Sequence, residues 1–178
     1  MVNPYGKFGE GFTGIADIRE PGAGWYGKIL SADITLRLPY PATEETIRRA
    51  NPGYVILGNE VRWELNNFEP IRKDNLEVRV MHVDIWPIIL ELRSNVEQNP
   101  NDVDSWEKLA NWYVQFSIFG AQDVLHYSID HHFANLALEA RQKVVELRPE
   151  RGDAHYLLAK MLWYTNPKVE ERFGYSER

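Results

Sequence analysis

The hydrophobic period of this chain changes near Val83, and this change restricts the possible folds more than any other feature of the sequence. Before Val83, apolar and polar residues alternate, most regularly from Ala32 to Leu38. Such alternation is typical of a strand that buries one face. After Val83, apolar residues recur every three or four positions, as in an amphipathic helix. The sequence therefore predicts an α+β protein with a β-rich domain over residues 1–83 and a helical domain over residues 84–178.

Four strands are predicted in the N-terminal half, and turn-forming residues such as Pro39, Pro41 and Asn66-Asn67 separate them. The predicted strands cover residues 29–38, 54–57, 60–65 and 76–80. Strands that keep one polar face and are joined by turns favour an antiparallel sheet or a small sandwich.

Helix signals occur in both halves. Residues 43–50 are predicted to form a short helix, because Thr43 is a good N-cap, acidic residues follow it and two arginines lie near the end. The glycine-rich segment 1–22 has no clear period, and no element is assigned to it. In the C-terminal half, Asp84 is predicted to cap a helix that ends before Asn99-Pro100.

A set of residues between positions 85 and 165 falls at the spacing of a paired-helix repeat. These are Asn99–Asp102 in the entry turn, Trp106, Leu109, Ala110 and Tyr113 in a first helix, Ala137–Ala140 and Val144–Pro149 in a second, and Leu158-Ala159 in the next first helix. This pattern resembles the tetratricopeptide family. The resemblance implies stacked helix pairs, with Trp106, Leu109, Tyr113 and Leu158 packed in their core.

The chain departs from the family pattern in two places. Pro100 and Pro149 are about 49 residues apart, whereas the family period is about 34 residues. An inserted segment is therefore predicted at about residues 114–136. Arg141 also occupies a position that the family usually gives to a large apolar residue.

The resemblance also implies a binding surface. In tetratricopeptide domains the inner surface comes from first-helix positions outside the core stripe, and Glu107, Asn111, Tyr156 and Lys160 match such positions. Asn111 and Lys160 are similar to part of a peptide-carboxylate clamp. We therefore expect a non-enzymatic interaction or assembly module, a scaffold component with a protein or peptide partner.

The last predicted helix suggests a second kind of partner. Leu158, Leu162 and Trp163 form an apolar stripe on it, and no full second helix is predicted after it. An uncovered apolar stripe at the end of a repeat favours association. Self-association of the chain is therefore an alternative to a separate protein partner.

The densest group of potential metal ligands lies within residues 125–133. His126 and Asp130 would share a helix face, as i,i+4 ligands do in some zinc sites, and His131 and His132 follow. A metal-binding protein or metal-dependent hydrolase is therefore one functional alternative. The competing interpretation makes Asp130 the N-cap of the next helix, with His131 and His132 exposed in its first turn.

A further alternative concerns the N-terminal half. It contains the stretches Gly24–Ile29, Leu36–Pro39, Trp63-Glu64 and Phe68–Pro70. These are similar to β-domains of unknown function in exported bacterial proteins, which implies an extracytoplasmic location if the chain is a mature or excised fragment. Met1 as the native start implies a cytoplasmic one. The functional alternative for this half is a glycan-binding β-domain that uses Trp25, Tyr26 or Trp63.

Composition removes several classes of function. The chain has no cysteine, which excludes disulfides, thiolate catalysis and cysteine-ligated metal centres. Its net charge of -6 argues against nucleic-acid binding, which needs a basic patch. No apolar run approaches the ~20 residues that span a bilayer. We predict no catalytic residue and no cofactor.

Overall fold

The computed structural model describes residues 3–8, 11–17, 27–68, 75–119 and 130–166, and within these ranges the strands precede the helices. The chain divides into two compact units. One comprises Met1–Phe8 and Phe12–Val83, and the other comprises Gly9–Gly11 and Asp84–Arg178. The predicted α+β class, with strands in the N-terminal part and helices in the C-terminal part, is confirmed.

The first unit contains two antiparallel sheets. The strands are β1 (Asn3–Phe8), β2 (Phe12–Asp17), β3 (Ile29–Arg37), β4 (Ile47–Ala50), β5 (Tyr54–Leu57), β6 (Glu60–Phe68) and β7 (Leu76–Met81). One sheet has the order β1-β2-β7-β4 and the other the order β3-β6-β5. All neighbouring strands run antiparallel. The four predicted strands correspond to β3, β5, β6 and β7 and are confirmed.

The alternation of the central strands determines which side chains are buried. In β6, Val61 and Trp63 are buried while Glu64 on the opposite face is exposed. In β7, Val78 and Val80 are buried in the same way. Apolar burial of this kind supplies most of the favourable free energy of a small sheet domain.

The sheet prediction missed three strands, β1, β2 and β4. β1 and β2 lie in the glycine-rich N-terminal segment and pair with each other, and β2 also pairs with β7 from Phe12 opposite Met81 to Asp17 opposite Leu76. This pairing joins residues that are far apart in the chain. A local pattern therefore does not reveal it.

The predicted helix at residues 43–50 is wrong. The capping residues form only one turn, in which the backbone N–H groups of Thr46 and Ile47 donate to the carbonyl of Thr43. The chain then enters β4, where Ile47 lies opposite Val80 of β7. Hydrogen bonds to a neighbouring strand have here overridden the helix signal.

Asn51, just after β4, connects the two sheets. Its side chain donates to the carbonyl of Asn75 at 3.1 Å and accepts from the backbone N–H of Glu77 at 2.7 Å, beside the start of β7. Its own carbonyl accepts the indole N–H of Trp63 on β6 at 3.0 Å. A buried tryptophan N–H needs such a partner. The chain near Asn51 thus holds the buried face of β6 beside β4 and β7.

The second unit is built from four helices. They are α1 (Trp86–Gln98), α2 (Val103–Phe119), α3 (His131–Leu147) and α4 (Gly152–Tyr164). Each helix contacts the next one along the chain. The predicted cap of α1 is displaced by one residue, because Ile85 rather than Asp84 occupies the N-cap position and makes no side-chain capping bond.

The core between α2 and α3 is aromatic. Phe116 packs edge-on against Phe133 with the ring centroids 5.0 Å apart, and Tyr113 lies 6.2 Å from the same ring. Leu109 is also buried, as predicted. Trp106 and Leu158, by contrast, are only half-buried. The indole N–H of Trp106 donates to the Pro100 carbonyl at 2.9 Å in the turn before α2.

Helices extend into both ends of the segment predicted as an insertion at about 114–136. α2 continues to Phe119 and α3 begins at His131, so residues 114–119 and 131–136 are helical. Between the two helices the structure describes only Asp130.

Candidate partner-binding site

The four residues predicted to bind a partner lie on two helices of the second unit. Glu107 and Asn111 are one turn apart on α2, and Tyr156 and Lys160 are one turn apart on α4. Residues at this spacing lie on the same face of a helix. We call these four residues together the α2/α4 surface.

Arg151, at the N-cap of α4, links the two helices. Its Nη1 lies 2.5 Å from Oε1 of Glu107 on α2. Its Nε and Nη2 donate to the two carboxylate oxygens of Asp153 in the first turn of α4, at 3.1 and 2.5 Å. These hydrogen bonds hold the pKa of Asp153 below its usual value and raise the pKa of Arg151. Sequence reasoning did not identify Arg151, because nothing in the turn before α4 indicates that it would reach α2.

Asn111 is held from the neighbouring helix. Nη2 of Arg141 on α3 donates to Oδ1 of Asn111 at 2.6 Å. Arg141 is only 5% exposed, and its burial lowers the pKa of the guanidinium while the nearby charge of Glu107 acts in the opposite direction. The sequence marked Arg141 as a departure from the repeat pattern. It did not indicate that the side chain would contact Asn111.

The α4 part of the surface is open. Tyr156 is 66% exposed, which is high for an aromatic side chain. Lys160 is also exposed, and its Nζ lies 5.9 Å from the ring centroid of Tyr164. Leu162 and Trp163 of the predicted apolar stripe are about half-exposed, whereas Leu158 is half-buried.

Three of the four residues proposed as metal ligands, Asp130, His131 and His132, lie at the N-terminus of α3. Asp130 is the N-cap of α3, and its Oδ1 accepts the backbone N–H of Phe133 at 3.1 Å. His131 and His132 are exposed in the first turn, so the capping interpretation is confirmed. His126 lies outside the described residues. Among the residues that the structure describes, no group of three potential ligands could hold a metal ion.

Trp63 does not present its ring to a sugar. Only 1% of the residue is exposed, and its indole N–H is bonded to the carbonyl of Asn51. Stacking on a glycan requires an exposed ring face, so the structure removes Trp63 from the glycan-binding alternative. Trp25 and Tyr26 lie outside the described residues.

Comparison with models of protein families, with curated proteins and with solved structures finds no match to this chain. A function for this site is therefore argued from the contacts described above.

Within the part of the chain that the structure describes, no helix is long and apolar enough to cross a membrane.

Proposed function

We propose that the protein is a non-enzymatic interaction or scaffold module with a tetratricopeptide-like helical unit, and that it binds a peptide segment of a protein partner on the α2/α4 surface. The observation that carries this proposal is the ion pair between Arg151 and Glu107. Arg151 also holds Asp153 in the first turn of α4, so it links the start of α4 to α2, and this link supports the proposal that the two helices share one binding surface.

The order of the helices supports the comparison with a helical repeat. Each of the four helices contacts the next along the chain, and the turns between α1 and α2 and between α3 and α4 are short. In a stack of this kind each unit contacts only its neighbours. The units therefore form an extended surface on which a partner can bind.

The composition of the surface supports a peptide rather than a small metabolite. It combines an exposed aromatic side chain, Tyr156, with the amide of Asn111 and the ammonium of Lys160. Tyrosine is among the residues that contribute most to protein interfaces, because its ring buries a large area and its hydroxyl forms hydrogen bonds.

Selection of peptides from a display library against the full chain tests this proposal. We expect Tyr156→Ala and Lys160→Ala each to weaken the selected peptide at least about tenfold, a loss typical of central interface residues. Lys28→Ala is the matched control, because Lys28 is exposed and belongs to the first unit, which carries none of the four residues of the proposed surface. If no peptide is selected, or if both surface variants bind as the wild type does, the proposal is wrong.

Metal binding through the histidines of residues 125–133 stays an alternative prediction. Elemental analysis of protein purified without a histidine tag tests it directly. A metal content near zero removes this alternative, and a content near one ion per chain replaces the scaffold proposal.

A further inference from the structure

The strand β3 lies at the edge of the three-stranded sheet. In the order β3-β6-β5 it pairs with β6, in one register that runs from Ile29 opposite Phe68 to Arg37 opposite Glu60. It has nine residues, whereas β5 at the other edge has four. Among the described residues no strand pairs with the outer side of β3. An edge of this length offers a row of backbone N–H and carbonyl groups to another strand.

The backbone groups that face this open edge belong to alternate residues of β3. The N–H of Leu38, just after the strand, donates to the carbonyl of Asn59 at 2.8 Å and continues the β3–β6 register. Because the backbone direction alternates along a strand, the even-numbered residues of β3 face β6 in the same way. The N–H and carbonyl groups of Asp33, Thr35 and Arg37 therefore point outward. All three residues are exposed.

The charges along β3 are complementary to those of a second, antiparallel β3. The outward backbone groups of two copies meet only in registers that set odd-numbered residues opposite each other. With Thr35 opposite Thr35, Asp33 of each copy lies opposite Arg37 of the other. A shift by two residues removes both pairs, and a shift by four sets Asp33 opposite Asp33 or Arg37 opposite Arg37. Opposite charges across a sheet are stabilising and like charges are destabilising, so charge selects one register.

The apolar face of β3 agrees with the same register. Ile34 and Leu36 are only half-buried, whereas their partners on β6, Trp63 and Val61, are buried. In the register centred on Thr35, Ile34 of each copy lies opposite Leu36 of the other. Apolar area that stays exposed at the edge of a single chain would thus be removed from water.

We propose that β3 is a homodimer interface, at which the β3 strands of two copies pair antiparallel around Thr35 and join the two sheets into one continuous sheet. A second copy is the occupant that these observations favour, because the charge pattern of the strand is complementary to itself. The interface uses none of the residues of the α2/α4 surface. It is therefore independent of the proposed function and adds a second interaction surface to the chain.

Single-cysteine crosslinking of the full chain tests the register. The sequence has no cysteine, so Thr35→Cys introduces one thiol, at the proposed two-fold axis. Residues that exchange backbone hydrogen bonds across an antiparallel pair have Cα atoms about 5.5 Å apart, a distance that a disulfide spans. We expect mild oxidation of this variant to give a disulfide-linked dimer.

Ser31→Cys is the matched control for the crosslinking experiment. Ser31 is exposed on the same strand, but in this register its two copies lie about 26 Å apart along the strand, too far for a disulfide. Equal crosslinking of the two variants, or none in Thr35→Cys, would overturn the proposal.

Sedimentation equilibrium of the full chain over a concentration series tests the association itself. We expect a reversible monomer–dimer equilibrium. Asp33→Lys should weaken it at least about tenfold, because the change sets like charges opposite each other at both ends of the paired segment. The variant should fold, since Asp33 lies opposite Glu64 on β6 and a like-charge pair is replaced by an opposite one. Glu64→Lys changes the net charge equally on the neighbouring strand and should associate as the wild type does.

Other results would identify a different occupant and overturn the proposal. If Asp33→Lys associates as the wild type does and Trp163→Ala does not, the copies meet through the apolar stripe of α4. A chain that stays monomeric up to about 1 mM has no such dimer. If that monomer also binds a selected peptide that Asp33→Lys no longer binds, the edge accepts a strand of another protein. The proposed function is judged by Tyr156→Ala and Lys160→Ala, so its failure is distinguishable from the failure of this dimer.

Discussion

Arg37 and Glu60 lie directly opposite each other on β3 and β6, and Nε and Nη2 of Arg37 both donate to the same carboxylate oxygen of Glu60, at 2.9 and 2.6 Å. The other oxygen accepts from Nε of Arg62 at 2.8 Å and also from its Nη2. Hydrogen bonds from Arg37, and then from Arg62, hold the pKa of Glu60 below its ordinary value of 4.5. Both carboxylate oxygens are therefore engaged on one face of the three-stranded sheet.

We predict that this arrangement makes the stability of the protein depend on pH. Because the pKa of Glu60 is depressed in the folded chain, its contribution is present above pH 4.5 and is lost as the pH falls through the folded value. Glu60→Gln should lower the melting temperature at pH 7, and the difference from the wild type should shrink below pH 4.5. Circular dichroism melting curves between pH 3 and pH 7 measure this change.

Glu64→Gln is the matched control for that experiment. Glu64 lies on the same strand but opposite Asp33, a residue of like charge. Removing one of two like charges across a sheet does not destabilise it. A loss in Glu64→Gln as large as that in Glu60→Gln at pH 7 would show that the two arginines have no specific effect.

Leu109→Ala should destabilise the helical unit by about 2–5 kcal/mol, because Leu109 on α2 is only 1% exposed and its truncation leaves a cavity. Leu90→Ala on α1 makes the same chemical change at a position that is 45% exposed. We expect it to cost less than about 1 kcal/mol. Urea denaturation gives both values, and similar losses in the two variants would argue against a packed core at Leu109.

Asp130→Ala should destabilise the protein by about 0.5–2 kcal/mol, because it removes the side-chain oxygen that accepts the Phe133 N–H at the start of α3. Asp130→Asn retains an oxygen at the same place and should stay close to the wild type. The free energy of unfolding in urea measures the difference. A large loss in Asp130→Asn would indicate that the charge of Asp130 matters more than its capping bond.

Gly58→Ala should destabilise the first unit by about 1–2 kcal/mol. Gly58 occupies the tight turn between β5 and β6 with φ of 64°, a conformation that residues with a Cβ adopt at a cost. Gly152→Ala is the matched change, since Gly152 is the first residue of α4 and has open space around a new Cβ. It should stabilise the chain by about 0.4–1 kcal/mol. Thermal melting that moves both variants in the same direction would contradict this assignment.

Local sequence patterns were sufficient to predict most of the strands and helices. Alternation identified β3, β6 and β7, the apolar run before Gly58 identified β5, and the capping sequence at Asp130 located the start of α3. In each case the signal lies within a few neighbouring residues. The side chains of a strand alternate between its two faces, and a side-chain oxygen before a helix accepts one of the first backbone N–H groups. Neither feature depends on distant parts of the chain.

Non-local pairing explains the errors. Residues 47–50 have a plausible helix sequence, yet they form a strand because β7 offers backbone partners to Ile47 and Ala50. β2 pairs with the same distant strand, from Phe12 opposite Met81 to Asp17 opposite Leu76, and β1 pairs with β2 alone. The partners that β7 offers to β2 and β4 lie roughly thirty or more residues away and have no local sequence signature.

The amino-acid sequence by itself determined the change from strands to helices near Val83, the antiparallel character of the β-rich part and the helix positions of Glu107, Asn111, Tyr156 and Lys160. The tertiary structure decided what those positions contact. It placed Arg151 against Glu107 and Arg141 against Asn111. The physical reason is that periodicity shows which side of a helix is polar, whereas an ion pair or a hydrogen bond between helices depends on how the neighbouring helices pack.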